Sequence, residues 1–150
     1  MVPDPAGKEA KVGPSPATGL TWHLSPEPHW AAHAGKASYT PERFAEEGFI
    51  HCTNGDERLI EVGNRYYTAD PRPFLALQVD LAAAGSPAIY EDPEQVYPHI
   101  YGELATAAVR QVRRIVRGAD GAFVGIGEVV EAAGEPGAGA GQGSEGRDRR

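Results

Sequence analysis

Apolar and polar residues alternate over short runs through the middle of the chain, and turn residues separate the runs. Leu20, Trp22 and Leu24 alternate with Thr21 and His23, the period of a short strand whose polar face carries His23. Gly48-Phe49-Ile50-His51-Cys52-Thr53 repeats that period, so Phe49, His51 and Thr53 point one way while Ile50 and Cys52 point the other. Residues 74–80 predict a strand with Leu75, Leu77 and Val79 buried. Residues 88–91 predict another with Ile89 and Glu91 on one face, and residues 97–102 an extended aromatic segment.

Helix signals fall between these runs. Ser25-Pro26-Glu27 and Thr40-Pro41-Glu42 each join a capping hydroxyl, a proline and a first-turn acid. They predict short helices, one carrying Trp30, Ala31 and Ala34 up to Gly35, the other Arg43, Phe44 and Glu46 up to Gly48. Asp56 caps a third, with Leu59, Val62, Gly63 and Tyr66 on one face. Residues 105–117 read both ways, Ala-rich like a helix at the start and strand-like at Val112, Ile115 and Val116. Asp120-Gly121 then predicts a hairpin turn into Phe123, Val124 and Ile126. Short strands interleaved with short helices, without the long alternation of a doubly wound sheet, place the chain in the α+β class.

Composition bounds this picture. Residues 1–18 are rich in Pro, Ala, Gly and Lys without periodicity, and residues 131–150 run into alternating Gly and Ala, so both are expected to be disordered. A single folded domain over residues 19–130 remains. The Gly137, Gly139, Gly141, Gly143 series follows no strand and opens no helix, so it lacks the geometry of a phosphate loop. The balance of 14 basic against 21 acidic residues, net charge -7, argues against a generic grip on nucleic acid. With Cys52 as the one cysteine, there is neither an internal disulfide nor a cysteine zinc cluster. The N-terminus lacks a signal pattern and no apolar run is long enough to span a bilayer, so a cytoplasmic protein without a membrane partner is expected.

Candidate chemistry gathers at a few positions. His29 and His33 have the i,i+4 spacing of paired metal ligands, but no glutamate follows in the H-E-x-x-H pattern and no third ligand is identifiable. They read as an amphipathic surface, and no metal is expected. His51 beside Cys52 looks like a base and nucleophile, yet alternation sends neighbours to opposite faces, which makes Cys52 a small core residue. His23 and His51 line one cleft if their strands are neighbours and are independently solvated if not. Glu91 and Glu103 are the candidate carboxylates. Arg110, Arg113, Arg114 and Arg117 fall near one face of a helix and offer a phosphate site, or merely a solvated face.

Six motifs in order, Trp22-His23-Leu24, Trp30-Ala31, Gly48 to Thr53, Asn64-Arg65-Tyr66-Tyr67, Tyr90-Glu91 and Tyr97-Pro98-His99-Ile100-Tyr101-Gly102, closely resemble the domain-of-unknown-function 952 family. The chain departs from the family pattern with Thr53 for Ser, Tyr97 for Phe, and Glu103 where a Pro often follows the Gly. That last departure shifts the choice of carboxylate to Glu91. The resemblance implies a compact split β-sheet core like that of the ADP-ribosyltransferase superfamily, with a cleft for NAD. By that resemblance His23 holds a ribose, His51 with Thr53 resembles the His-x-Ser element of RNA 2′-phosphotransferases, and Glu91 completes the site. Tyr67, His99 and Tyr101 are further cofactor-binding candidates, the tyrosines as stacking surfaces for nicotinamide. A carboxylate suits such chemistry because cleaving the nicotinamide–ribose bond develops an oxocarbenium-like centre. The expected function is NAD cleavage by transfer or hydrolysis, with Glu91 and His51 catalytic. The alternatives are a non-catalytic nucleotide-binding or protein-interaction module and an NAD-dependent RNA 2′-phosphotransferase using the arginine cluster.

Overall fold

A computed structural model describes residues 14–132, in the order β1 (Ser15–Pro16), β2 (Leu20–Pro26), α1 (Glu27–His33), β3 (Ser38–Tyr39), α2 (Phe44–Glu47), β4 (Ile50–His51), α3 (Asp56–Tyr66), β5 (Phe74–Asp80), β6 (Ala88–Tyr90), β7 (Pro98–Ile100), β8 (Leu104–Ala105), β9 (Val109–Arg117) and β10 (Phe123–Ala132). Among the described residues no helix is long and apolar enough to cross a membrane. The expected α+β class is met: among the described residues antiparallel strands form two four-stranded sheets and a two-stranded ribbon, with three short α-helices.

β5 is apolar on both faces because it is covered on both. It lies between β2 and β9 in the sheet β10-β9-β5-β2, with Leu77 opposite His23 on one side and Val112 on the other. Leu75, Leu77 and Val79 enter a core shared with Trp30, Tyr39, Ile50, Cys52, Ile100 and Leu104. Phe74 and Ala76 face the other way, into a smaller core with Trp22, Leu24, Leu59, Ile115 and Phe123. α3 closes this second core. Its inward face is Leu59 and Gly63, whereas Tyr66, expected on the same face, is exposed. Gly63 lies against Phe123 so closely that a β-carbon there would enter the ring. Gly63→Ala is therefore expected to cost about 1–3 kcal/mol, read as a lower urea midpoint at unchanged slope.

The second sheet runs β1-β6-β7-β4. Ala88, Ile100 and Ile50 align across it on the core side, and Ile89, His99 and His51 align on the outer side. The two sheets meet edge to edge at one antiparallel bridge, where Trp22 N–H donates to the Thr53 carbonyl at 3.0 Å and Thr53 N–H to the Trp22 carbonyl at 2.8 Å. Beyond it, the His23 imidazole rather than backbone joins β2 to β4.

Several local expectations are corrected. Ser25 does not cap α1, because it is still paired with Leu75 inside β2. Its hydroxyl donates to the Pro26 carbonyl at 3.1 Å, and Pro26 itself takes the cap position. α2 starts after Arg43 rather than at Thr40-Pro41, and Gly48 ends it as expected, at φ 83° with its N–H on the Phe44 carbonyl. Residues 105–117 resolve into a 3-10 turn over Thr106–Ala108 followed by strand β9, since Val109, Val112 and Ile115 need the two apolar layers on either side of the sheet. The domain also extends past its expected limits. Ser15 and Pro16 pair with Tyr90 and Ile89, and Glu131 and Ala132 pair with Val112 and Gln111. The expectations for residues 1–13 and 133–150 lie outside the described residues.

Candidate functional site

Strand alternation and pairing register build a cluster of side chains on the outer face of the β6–β7–β4 sheet. Ile50 and Cys52 are buried behind it, so Phe49 and His51 project outward; Pro98 and Ile100 are buried, so His99 and Tyr101 project to the same side. Because His51 is registered opposite His99, the two rings stand edge to face with centroids 5.3 Å apart. Phe49 lies beside both, at 4.7 Å from His51 and 4.2 Å from His99, and 5.3 Å from Tyr101. Glu91, the residue after β6, reaches the same place.

Its Oε1 accepts two hydrogen bonds, from Tyr101 hydroxyl at 2.5 Å and from His99 Nδ1 at 2.9 Å. The Tyr101 bond first and the His99 bond second hold the Glu91 carboxyl below the ordinary carboxylate range, and the same carboxylate raises the Tyr101 phenol. Since a carboxylate accepts, His99 carries its proton on Nδ1, which leaves the lone pair on Nε2. His51 has a carboxylate of its own. Glu47, at the end of α2, accepts from His51 Nε2 at 3.1 Å, which leaves the Nδ1 lone pair. Two imidazoles, each oriented by a carboxylate, thus share one solvent-facing surface with an aromatic shelf.

Four of the residues singled out from the sequence, His51, Glu91, His99 and Tyr101, are brought together here. Three are not. His23 was expected on a polar, cleft-facing surface; it is 5% exposed, inside the main core, because β2 is covered on both faces. Its Nδ1 donates to the His51 carbonyl at 2.6 Å, and its Nε2 accepts from the Tyr39 hydroxyl at 2.8 Å. Burial lowers its pKa to about 4. Thr53 is buried at the bridge to Trp22 rather than presented beside His51, since the β2 edge of the other sheet lies against it. Tyr67 stacks on Phe74 at 5.0 Å, in the smaller core, and not on the outer face.

Other candidates take structural roles. Cys52 is buried and its thiol is pushed up to about 12, so the adjacent His51 does not activate it. His29 Nε2 contacts the Thr40 carbonyl at 2.7 Å and His33 Nδ1 the His29 carbonyl at 2.9 Å, so both rings anchor backbone. Among the described residues no group of three His, Cys, Asp or Glu side chains is arranged to hold a metal ion. The arginine cluster is corrected outright, because β9 is a strand and its guanidiniums are occupied. Arg110 pairs with Asp80, Arg113 donates to the Gly127 carbonyl, and Arg114 pairs with Glu27 and Glu128. Arg117 donates to the carbonyls of Tyr67, Thr68, Asp70, Arg72 and Gly121. Glu103 accepts from the Ser38 hydroxyl at 2.7 Å, away from the outer-face cluster.

Sequence reasoning missed Glu47 and gave Phe49 no role. The i,i+4 spacing of Glu47 and His51 was a usable signal for the first. For Phe49 the signal was its place two residues before His51 on one strand face.

A family model described as "Protein of unknown function (DUF952)" matches residues 24–112, more than half of the chain. The chain belongs to that family. The DUF952 span contains Phe49, His51, Glu91, His99 and Tyr101, begins one residue after His23 and ends before β10. No curated protein matches the chain. Among solved structures it is similar to protein CC0527 from Caulobacter crescentus, with a TM-score of 0.60 at 20% identity over 70% of this chain and 93% of that one. A double mutant of the same Caulobacter protein gives the same values. At that identity the likeness speaks for the α+β fold of this DUF952 protein.

Proposed function

We propose that the outer face of the β6–β7–β4 sheet takes the nicotinamide–ribose end of NAD and that the protein cleaves the bond between them. The observation that carries this reading is Glu91, a carboxylate kept ionised by Tyr101 and His99, whose rings both lie against Phe49. A pyridinium is a planar cation, attracted both by an aromatic face and by a neighbouring carboxylate. Oε1 of Glu91 is occupied by Tyr101 and His99, so Oε2 is the atom offered to a ribose hydroxyl.

The chemistry follows from these positions. The C1′–N1 bond breaks with its electron pair going to nicotinamide, and positive charge develops over C1′ and the ring oxygen. Glu91 stabilises that charge, and His99 Nε2 accepts a second ribose hydroxyl. Water or an acceptor hydroxyl attacks C1′, and the Nδ1 lone pair of His51 takes its proton. With water the products are nicotinamide, ADP-ribose and a proton. Two sheets joined by a single backbone bridge, then by a side chain, support the ADP-ribosyltransferase-like split sheet as the framework.

Nicotinamide release from NAD, followed by chromatography, tests this. Glu91→Gln is expected to lower the rate about ten- to a hundredfold, and His51→Ala to act in the same direction. Wild-type protein no faster than the combined Glu91→Gln, His51→Ala variant sinks the enzymatic reading. One observation favours a second reading, a non-catalytic nucleotide binder: the Glu91 and His51 side chains are 40% and 55% exposed, so water is not excluded from the face. A binder takes up NAD or ADP-ribose in a calorimetric titration and returns it intact.

A further inference from the structure

Electrostatics narrows the substrate class at this face. Its fixed charges are the Glu91 carboxylate and, beside His51, the Glu47 carboxylate. The side chains that set the ionisation of Glu91 are Tyr101 and His99, with no lysine or arginine among them. Arg43, at the start of α2 beside Glu47, and Arg58, in α3, are both engaged. Arg43 contacts Glu46 at 3.3 Å and Glu47 at 3.6 Å, and Arg58 bonds the Tyr97 hydroxyl with Glu61 and Glu94 close by. The arginines of β9 are held by carboxylates and carbonyls elsewhere. α2 approaches the cluster through Glu47 at its C-terminal end, where the dipole is negative.

Among the described residues, a ligand on Phe49 therefore finds partners for a cationic ring and for sugar hydroxyls, and no unpaired arginine for a phosphate. We infer that the face selects phosphate-free N-ribosylated pyridinium cations, of the nicotinamide riboside kind, over their phosphorylated counterparts. This rests on the nicotinamide–ribose reading of the same face and sharpens it. A 5′-phosphate at neutral pH carries close to two negative charges, and placing it within a Debye length of two carboxylates lowers affinity by about tenfold at low ionic strength.

The experiment is a titration of the full chain with nicotinamide riboside, nicotinamide mononucleotide and NAD, following the His51 and His99 ring protons by NMR at low salt and at 0.5 M salt. Expected is binding of the riboside about tenfold tighter than of the mononucleotide at low salt, with the gap closing at high salt. Glu47→Gln is expected to narrow it roughly two- to threefold by removing one repelling charge. Equal or tighter binding of the mononucleotide or NAD overturns the selectivity while leaving the nicotinamide–ribose reading standing, as does a riboside preference that salt and Glu47→Gln do not change. Failure of all three ligands to shift either histidine overturns both.

Discussion

Replacing His23 with leucine is expected to destabilise the protein by roughly 2–6 kcal/mol, because the ring is the one link between two otherwise buried polar groups. Leucine fills much of the space but leaves the His51 carbonyl without its donor and the Tyr39 O–H without its acceptor, at about 1–3 kcal/mol each, Ser25 being the other hydrogen-bond neighbour of that hydroxyl. Tyr39 is 1% exposed, and burial raises its phenol pKa, so it has no recourse to water. His23→Asn keeps an amide N–H within reach of the His51 carbonyl and should recover part of the loss. Chemical denaturation of the three proteins at pH 7.5 checks the order wild type, Asn, Leu.

The same residue produces a pH signature of known sign. Burial first, then neighbouring His51 and His29, outweigh the hydrogen bond to the His51 carbonyl and bring its pKa from 6.5 down to about 4. Between those values the unfolded chain binds a proton that the folded chain does not, so stability falls as the pH is lowered through this window. The loss approaches about 3 kcal/mol near pH 4 and is absent above the unfolded value. Asparagine does not titrate. The difference between wild type and His23→Asn should therefore shrink, or reverse, from pH 7.5 to pH 4.5; a difference independent of pH would refute the buried neutral imidazole. Loss at His23 also reaches the outer face, because its Nδ1 holds the carbonyl of His51 itself.

Arg117→Ala is the second large effect, expected at about 2–4 kcal/mol. Its guanidinium donates to five carbonyls, between 2.6 and 3.2 Å, gathering the loop after α3 and the β9–β10 turn around one cation. It also lies over Phe123, 4.7 Å from the ring centroid, and 5.7 Å from that of Phe74. Lysine keeps the charge but loses the planar fork, so Arg117→Lys should recover less than half. Thermal unfolding with hydrogen exchange over residues 67–73 measures both the global and the local loosening. A variant of wild-type stability would return Arg117 to the role of a free surface cation, which the strand geometry denies it.

How much of this was legible beforehand varies by element. The alternation from Phe49 to Cys52 is a local property of an extended chain, and it separated His51 from Cys52 before any fold was known. The same holds for Leu75, Leu77 and Val79 in β5, and for the Gly48 stop of α2. His23 was misplaced for a reason of equal clarity. Alternation tells which neighbours share a face, but not whether the polar face meets solvent or a second layer. Tyr39 from β3 and Ile50 from β4 cover β2 on that side. The arginines of β9 failed in another way, since helical and extended spacings were both open over residues 105–117 and only pairing with β5 selects the strand.

Periodicity, turn residues and motifs in a fixed order set the α+β class, the family, the outward face of β4 and the short strands around it. Tertiary structure alone decided which strands are neighbours. Register placed His99 opposite His51, brought Glu91 to His99 and Tyr101, and turned His23 into an interior strut. Those are contacts between residues far apart in the chain, and no local pattern encodes them, because pairing is settled by which apolar faces bury together.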